Sequence, residues 1–371
     1  MSSSAYSAIR SSTGKRRTID GFASANPIFV CVLSYTGTSQ IPGITMAGGS
    51  SNLVAFTPAA DGELLYYGKC KSIPGVPVTP EGIPTPALIT RAVLTKSRIG
   101  CLIVDAGSKM KPVLPAISFN IKHGGNIKEE NGLSQSDSIK AFENGRMLGM
   151  QLGLITDSII VGESIPGGTT TALAVLTAFG IEARFKVSSS MPVNPHELKN
   201  KIVEIAIDKI DDIVQLRTDP LELVALVGDP MIPSAAGIAC GALSQGAKVM
   251  LAGGTQMTAV LCLLKALKVS LKKICIGTTS YVMDDESSDI SYLIKSICNN
   301  VPILSIDLGL EFSRNEGLKS YKFGIAKEGV GAGGASIAAT LKLGSNWTSK
   351  AMLHAIEKEY ENTIGKNGIR K

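Results

Sequence analysis

Short, nearly continuous apolar runs alternate with longer amphipathic segments along most of the chain. The runs GCLIVDAGS, SIIVGE, KVMLAGG and KKICIGTT end in glycine, threonine or acidic residues, a pattern typical of strands buried on both faces of a sheet. Segments such as LSQSDSIKAFENGRMLGMQLG and PGGTTTALAVLTAFG have apolar residues at helical spacing. This alternation predicts an α/β fold with a doubly wound, mostly parallel sheet and helices on both of its faces.

Local signals set several of the predicted boundaries. The sequence predicts Ser134 or Ser136 as the N-cap of one long helix and Asn194 as the N-cap of the helix NPHELKNKIVEIAIDKI. Pro86 fits the first turn of the helix ALITRAVL. The apolar run LELVALVGD is interpreted as a strand and is expected to end at Gly228–Asp229.

The sequence predicts one large domain between two short terminal segments. Residues 1–25 are expected to form a flexible tail, because residues 1–19 contain no acidic side chain and many serines; a transit peptide is the alternative. Residues 26–345 are expected to form a single α/β nucleotide-binding domain, and residues 346–371 a C-terminal helix with a charged tail. No apolar run reaches the roughly 20 residues that span a bilayer, so we expect a cytoplasmic protein without a membrane partner.

The amino-acid composition excludes several classes of protein. With 44% apolar and 18% charged residues, the chain is too apolar to be disordered, and 5% aromatic residues are too few for a nucleic-acid stacking platform. Basic residues near the termini account for the net charge of +6, so no nucleic-acid partner is expected. The seven cysteines lack C-x-x-C spacing, so we expect reduced thiols and no metal site. The acidic run Asp284–Glu286 is expected to be a hydrated loop, with cation binding as the alternative.

The predicted carboxyl ends of the strands carry glycine, threonine and acidic residues. In open parallel sheets, ligands bind in the crevice at these ends. We therefore expect a ligand site assembled from five loops, which are Asp105–Gly107, Gly162–Thr170, Gly228–Asp229, Gly253–Gln256 and Gly277–Thr279.

The sharpest local motif is VGESIPGGTTT, in which a predicted strand ends at Glu163 and a Pro-Gly-Gly turn follows. Gly167 and Gly168 permit a close backbone approach. A helix that starts at Thr169 and Thr170 offers N–H groups and a positive dipole end to a phosphate or carboxylate. The alternative is a plain connection between a strand and a helix, with a threonine cap and with Glu163 capping its own loop.

The second motif is KEGVGAGG, which formally contains G-x-G-x-x-G at Gly329, Gly331 and Gly334. A dinucleotide fingerprint should open a βαβ unit with an acidic residue about 20 residues later, but the residues after Gly334 indicate a helix and a charged tail. We therefore expect these glycines to let the backbone pass close to a ligand, with Glu328 at the mouth of the site. The sequence contains no P-loop and no G-x-S-x-G motif.

Longer phrases of the sequence resemble one known family. GGSSNLVAFTPAADGELLYYG, PVTPEGIPTPALITRA, GESIPGGTTTALAVL, VSSSMPVNPHELK, VGDPMIPSAAG and LAGGTQMTAVL are typical of the archaeal and cyanobacterial branch of the nicotinate-nucleotide:dimethylbenzimidazole phosphoribosyltransferase family. The resemblance extends from about Gly43 to about Lys342. It implies a Rossmann-like sheet with a small helical subdomain drawn from the termini, a homodimer, and catalysis without a cofactor.

The resemblance also implies roles for particular residues. Glu328 lies in KEGVG, which resembles the G-E-G-T-G segment whose glutamate is the family's catalytic base, and Glu163 matches the glutamate of the G-E-x-G-I-G-N-T-T loop. Lys201 resembles a lysine on the phosphate side. The expected phosphate- and ribose-binding residues are Gly167, Gly168, Thr169, Thr170, Lys201, Gly253, Gly254 and Thr255, and the further strand-end candidates are Asp105, Gly107, Asp229, Gly329 and Gly331.

The implied reaction transfers the 5-phosphoribosyl group of nicotinate mononucleotide to a benzimidazole-like or purine base. Nicotinate is released, the anomeric carbon is inverted, and the product is the α-ribazole phosphate of the cobamide lower loop. Because a cationic pyridinium is a good leaving group, the enzyme must mainly orient two rings and remove one proton. A glutamate whose pKa is raised to about 6–7 by an apolar pocket suits that proton transfer.

The sequence departs from the family pattern on the acceptor side. Ile165, Pro166 and Gly168 replace a glycine, an isoleucine and an asparagine, Gly253 replaces an aspartate, and the family's N-terminal D-H-G stretch has no clear counterpart. Two other classes therefore stay open: a nucleotide or cobamide-precursor binding protein without transferase activity, and a dinucleotide oxidoreductase that uses Gly329–Gly334. The acceptor stays open too, since adenine, a phenol or a benzimidazole would suit an apolar slot.

Overall fold

The computed structural model describes residues 4–13, 15–79 and 82–364, which contain one eight-stranded sheet. Its strands are β1 (Ile9–Ser11), β2 (Ile28–Leu33), β3 (Gly100–Asp105), β4 (Ile117–Ser118), β5 (Ser158–Ser164), β6 (Lys248–Ala252), β7 (Ile274–Thr279) and β8 (Ile303–Ile306). The strand order is β1-β8-β7-β6-β5-β2-β3-β4, and every pair except β1–β8 is parallel.

Helices connect the strands. In the first half of the chain they are α1 (Arg16–Asp20), α2 (Ser51–Val54), α3 (Thr57–Tyr67), α4 (Ala87–Ser97), α5 (Gln135–Ile155), α6 (Gly168–Ala178) and α7 (His196–Ile207). In the second half they are α8 (Ile213–Leu216), α9 (Pro220–Val227), α10 (Met231–Ser244), α11 (Gln256–Ala266), α12 (Ser280–Met283), α13 (Ile290–Ile297), α14 (Glu316–Lys319), α15 (Ala332–Leu343) and α16 (Ser349–Thr363). Short 3₁₀ helices are Ala5–Ala8, Gly37–Gln40, Leu310–Phe312, Ser320–Phe323 and Gly344–Asn346.

The sheet buries a different set of side chains on each face. Val30 and Val32 of β2 belong to one apolar cluster, which includes side chains of α5, α6, α10 and α11. Phe29 and Cys31 of the same strand belong to a second cluster with α4, α15 and α16. Because successive side chains of a strand point to opposite faces, both faces of β2 are covered. The predicted doubly wound α/β fold is therefore confirmed.

The order of the strands reverses between β2 and β5. The chain proceeds from β2 outward to β3 and β4, returns to place β5 on the other side of β2, and continues outward through β6, β7 and β8. Loops leaving β2 and β5 therefore diverge at the carboxyl edge of the sheet, which is where open α/β sheets bind ligands.

Two local predictions are wrong. LELVALV is not a strand but the helix α9, whose Asp219 side chain accepts a hydrogen bond from the Glu222 N–H (3.2 Å) and whose first residue is Pro220. An apolar run can be a buried helix as readily as a buried strand. Asn194 does not cap α7, because its amide donates to the Val187 carbonyl (2.8 Å). Ser134 caps α5 as expected.

The terminal segments pack against the rest of the fold. Within residues 1–25, for which a tail is predicted, β1 pairs with β8 and places Ile9 opposite Ile306. At the other end α16 packs on α4, and Arg91 forms an ion pair with Glu359 (2.8 Å). The predicted charged tail after residue 364 lies outside the described residues.

Two further features concern the residues that the structure describes. None of their helices combines the length and the apolarity needed to cross a membrane. All seven cysteines are free thiols. Of these, Cys31, Cys262 and Cys275 are buried, as expected for cysteines within apolar runs.

Candidate active site

A cavity lies at the point where the strand order reverses. Its walls include the loop after β5, residues of α3 and the first residues of α6. The lining segments are 44–48, 77–79, 83–86, 163–169, 188–190 and 326–330, together with Thr57, Asp61, Gly254 and Gln256. The predicted candidates Glu163, Gly167, Gly168, Thr169, Gly254, Glu328 and Gly329 all belong to this lining.

Glu163 stands at the carboxyl end of β5 and is almost completely buried. One oxygen of its carboxylate, Oε2, accepts a hydrogen bond from the backbone N–H of Ile165 (3.0 Å). The other, Oε1, accepts a longer one from Nε2 of Gln256 (3.4 Å). Glu163 therefore caps its own loop, which is the alternative that the sequence left open. It also lines the cavity.

Glu328 is held by backbone amides at the end of β7, in the loop before α15 and in the first turn of α15. Its Oε2 accepts from the N–H of Thr279 (2.9 Å), and its Oε1 accepts from the N–H of Gly329 (3.1 Å). The N–H of Gly333 lies 3.2 Å from both oxygens. The preceding side chain, Lys327, forms a buried ion pair with Asp285 (2.7 Å). These contacts fix the position of the Glu328 carboxylate against the cavity.

Burial controls the ionisation of both glutamates. Burial raises the pKa of Glu328 to about 7, although the N–H donors of Gly333, Gly329 and Thr279 act to lower it. Burial also raises the pKa of Glu163 well above its usual range, and the nearby charges of Asp229 and Glu328 raise it further. A carboxyl group with a pKa near neutrality can exchange a proton under physiological conditions.

The first turn of α6 forms one wall of the cavity. Gly167 precedes this helix with φ +77°, and a Cβ built on it would lie 3.0 Å from Cα of Ser39. Both the left-handed backbone and the close approach require glycine. Gly167, Gly168 and Thr169 line the cavity, which brings the N–H groups and positive dipole end of α6 to its surface.

A buried lysine supports the serine segment of the cavity wall. The Lys199 side chain on α7 is fully buried, and its Nζ donates to the carbonyl of Ser188 (2.7 Å) and to Oδ1 of Asn194 (3.2 Å). Burial, together with the charge of Lys327, lowers the pKa of Lys199 to about 7. Lys199 thereby anchors the serine segment 188–190, which lines the cavity.

The predicted phosphate ligand Lys201 is not part of this cavity. Its side chain is exposed and absent from the lining. The inward face of α7 carries Lys199, Ile202 and Val203, and two residues along a helix correspond to roughly 200° of rotation. Lys199 and Lys201 therefore point in nearly opposite directions, and of these two lysines only Lys199 is bonded to a segment that lines the cavity.

Several other candidates lie beside the cavity or away from it. Gly253 is next to Glu163, since a Cβ on it would lie 3.9 Å from Oε1 of that residue. The Thr255 hydroxyl accepts from the Ser188 N–H (3.0 Å). Asp229 is bonded to Thr171 and to the Met231 N–H at the start of α10. Besides Lys201, the candidates outside the lining are Thr170, Asp229, Gly253, Thr255, Gly331, Asp105 and Gly107.

Asp105 and Gly107 are buried at the end of β3, apart from the cavity. Asp105 forms an ion pair with Lys111 (2.7 Å) and accepts from the Ser108 N–H (2.9 Å). Gly107 packs on the Lys122 carbonyl, 2.5 Å from a Cβ built on it. The structure therefore does not bring these two residues to the cavity.

The glycines of KEGVGAGG serve mainly to pack a helix. A Cβ on Gly333 would lie 2.1 Å from the backbone of Thr278, and one on Gly334 would lie 2.3 Å from Ala252. These two glycines are expected to let the backbone pass close to a ligand, but they let it pass close to strands β6 and β7 instead. Gly329 differs from them, because it lines the cavity. No described strand follows α15, so the βαβ context of a dinucleotide site is absent from the described residues.

Asp61 is the cavity carboxylate that sequence reasoning missed. It lies on α3 and is almost fully buried, and it accepts hydrogen bonds from Oγ1 of Thr85 (2.8 Å) and Oγ of Ser164 (2.7 Å). Burial raises the pKa of Asp61 to about 6. The available signal was an aspartate inside the apolar helix start TPAADGELL, where an unpaired charge is unfavourable.

We find no candidate metal site in the part of the chain that the structure describes. It contains no group of three or more His, Cys, Asp or Glu side chains placed to hold a metal ion. In the acidic run, Asp284 pairs with Arg10 (2.6 Å) and Asp285 with Lys327 (2.7 Å). Side-chain cations therefore neutralise two of its three carboxylates.

Comparison with known sequences finds a matching family model and similar proteins from archaea. A sequence model of a phosphoribosyltransferase family matches residues 91–284. A UPF0284 protein of Sulfurisphaera tokodaii is 46% identical over 335 residues, which cover 90% of this chain and 93% of the relative. A UPF0284 protein of Archaeoglobus fulgidus is 42% identical over 342 residues, which cover 92% and 95% of the two chains.

Comparison with solved structures concerns the fold. The crystal structure of nicotinate-nucleotide-dimethylbenzimidazole phosphoribosyltransferase from Thermus thermophilus superposes with a TM-score of 0.59. The superposition covers 89% of this chain and 82% of that chain, and 15% of the aligned residues are identical. The doubly wound sheet and its surrounding helices therefore have the same arrangement in both proteins.

Proposed function

The chain belongs to the phosphoribosyltransferase family, and we propose that it transfers the 5-phosphoribosyl group of nicotinate mononucleotide to a benzimidazole-like or purine base. The proposal depends on one observation above all. Two carboxylates, the buried Glu163 and the half-buried Glu328, share a single cavity with the N-terminal turn of α6. A candidate base and a candidate phosphate anchor therefore line the same space, which supports the binding of a ribotide there.

The phosphate end of the substrate would bind to the first turn of α6. Gly167, Gly168 and Thr169 supply the helix N-terminus, which attracts a dianionic phosphate. The serine segment 188–190 and Gly254 supply further polar groups on the same cavity. Fixing the phosphate orients the anomeric carbon, and such orientation is a large part of catalysis when two ring systems must meet.

The chemical step needs one proton acceptor. The acceptor nitrogen forms a bond to the anomeric carbon while the bond from that carbon to the pyridinium nitrogen breaks, and the bonding pair neutralises the departing ring as nicotinate. The N–H proton of the acceptor base then passes to the Glu328 carboxylate. General bases of this kind contribute roughly 10²–10⁴-fold to rate, and a pKa of about 7 leaves Glu328 ready to accept the proton.

Glu163 would stabilise the positive charge of the substrate and of the transition state. The substrate carries a cationic ring, and the transition state has a positively charged, oxocarbenium-like sugar. A cation in the cavity favours the ionised form of Glu163 and so opposes the effect of burial, which raises the pKa of this residue. The Glu163 carboxylate would then stabilise positive charge as it develops on the sugar.

We also propose a homodimer, in line with the resemblance. The long helix α5 leaves four large apolar side chains exposed, which are Ile139, Met147, Leu154 and Ile155. Ile139, Met147 and Leu154 follow one another at intervals of eight and seven residues, so they share one face of the helix. Light scattering of the purified chain tests this proposal, and a monomer at micromolar concentration would refute it.

Product analysis tests the transferase proposal directly. Purified protein is incubated with nicotinate mononucleotide and a panel of benzimidazoles and purines, and the products are identified by mass spectrometry. We expect nicotinate and an α-ribotide of the base in equal amounts. Binding of nicotinate mononucleotide without release of nicotinate would favour the second candidate, a binding protein. The saturation of the Glu328 oxygens by backbone N–H groups is the observation that keeps this candidate open.

A further inference from the structure

The cavity contains a third carboxylate with no role in the reaction described above. Asp61 lines the cavity beside Ser164, which directly follows Glu163 in β5. Its side chain has two partners, the hydroxyls of Thr85 and Ser164, and each donates to a different oxygen. Among the described residues no lysine, arginine or histidine forms an ion pair with Asp61.

Apolar side chains line the cavity next to Thr85, one of the two hydrogen-bond partners of Asp61. Thr85 belongs to the segment 83–86, which lines the cavity with Ile83, Pro84 and Pro86. The Thr85 N–H donates to the Pro77 carbonyl (3.0 Å), so the segment 77–79, which adds Pro77 and Val78 to the lining, lies beside it. Apolar walls of this kind accommodate a flat aromatic ring, whereas the polar glycine and serine segments suit the ribose phosphate. Asp61 therefore stands where an aromatic base would meet a polar group.

We infer that Asp61 selects the acceptor by taking a hydrogen bond from an N–H group on the edge of the base. The ligand class this favours is a heterocycle with an exocyclic amino group, such as an aminopurine, over a benzimidazole that carries only methyl groups on that edge. The inference depends on the proposed function, because it names the acceptor of the proposed reaction. Asp61 would be a specificity-determining residue and not the base.

The hydrogen-bonding inventory of Asp61 supports this assignment. A carboxylate offers about four acceptor positions, and the hydroxyls of Thr85 and Ser164 occupy two of them. Both hydroxyls direct their protons to Asp61, so they too present acceptor lone pairs to a ligand. A cluster of acceptors is complementary to N–H donors. A methylated edge would leave the two remaining acceptor positions of this buried carboxylate without a donor, and such a mismatch is unfavourable.

The test measures the ratio of kcat/KM for adenine to kcat/KM for 5,6-dimethylbenzimidazole, with nicotinate mononucleotide as donor and the full chain as enzyme. In the parent protein we expect adenine to be favoured at least tenfold. Asp61→Asn replaces an acceptor oxygen with a donor of equal size, and we expect the ratio to fall at least tenfold. Asp105→Asn changes a buried carboxylate outside the cavity in the same way, and we expect the ratio to stay within threefold.

Other outcomes overturn the inference. A parent enzyme that favours dimethylbenzimidazole, or a ratio that moves less than threefold in Asp61→Asn, refutes it while the transferase proposal stands. A higher KM for nicotinate mononucleotide with an unchanged ratio would place Asp61 at the ribose and also refutes it. If Asp61→Asn does not fold, Asp61→Ser replaces it, with the same expected fall.

Failure of the proposed function can be recognised separately. If no base yields a ribotide, the transferase proposal is refuted, and calorimetric binding of the two bases to parent and variant tests the inference by itself. Binding of adenine that weakens at least tenfold in Asp61→Asn, with less change for dimethylbenzimidazole, supports the inference. Equal binding of the two bases to the parent refutes it.

Discussion

Replacing Glu328 by glutamine tests the assignment of the base. The substitution keeps the size of the side chain but removes its ability to take up a proton. The pKa of Glu328 is raised from its ordinary 4.5 to about 7, a change that corresponds to about 3 kcal/mol in favour of the protonated acid. Because the base must be ionised to act, kcat/KM of the parent should rise about tenfold between pH 6 and pH 8.

We expect Glu328→Gln to lower kcat by about 10²–10⁴-fold, the usual contribution of a general base. It should also remove the rise in rate around pH 7. The assay is release of nicotinate, measured by liquid chromatography from pH 5.5 to pH 9 at saturating base. A variant within about threefold of the parent would exclude Glu328 from the chemistry. So would a variant that is slower but keeps the same rise near pH 7, because another group would then be titrating.

Further predictions concern stability and binding. Gly333→Ala puts a Cβ against the β7 backbone at 2.1 Å and should lower the free energy of unfolding by about 2 kcal/mol or more. The control is Gly100→Ala, whose Cβ meets nothing within 4 Å and which should change the free energy of unfolding by less than about 0.5 kcal/mol. Urea denaturation measures both variants. Lys199→Met should raise KM for nicotinate mononucleotide at least tenfold because the serine segment loses its anchor, and Lys201→Ala should leave it within twofold. Since the folded-state pKa of Glu328 lies above its ordinary value, ionisation opposes folding. The contribution of Glu328 to the free energy of unfolding should therefore fall by roughly 2–3 kcal/mol from about pH 5 to pH 8 in the parent. This fall should be absent in Glu328→Gln.

The sheet was predictable because strands covered on both faces must be apolar throughout. That condition produces the runs that become β3, β5, β6 and β7. The edge strands gave no such signal. β4 has only two residues, Ile117 and Ser118, and both are exposed. β1 pairs for only three residues. The error at α9 has a related cause, since a helix packed on several sides is as uniformly apolar as a buried strand.

The site was predictable only where chemistry is concentrated in one short segment. Glu163 and Glu328 each stand next to glycines that must be there for backbone reasons, so the motif marks the carboxylate. Asp61 is followed by the single glycine Gly62 inside a helix, with no glycine-rich motif around it, and its partner Ser164 lies 103 residues away in the sequence. The choice between Lys199 and Lys201 depends on which face of α7 is buried. Both features are settled by tertiary contacts that local pattern does not contain.

The position of β2 has a consequence for synthesis on the ribosome. β2 emerges first among the parallel strands, yet its two neighbours are β3 and β5, so the centre of the sheet stays open until residue 164 has been made. Asp61 emerges early, whereas Glu328 and the amides of α15 that hold it follow more than 260 residues later. A nascent chain therefore exposes a half-built, carboxylate-bearing cleft until α15 has been made, and ligand binding can stabilise the fold only after that point.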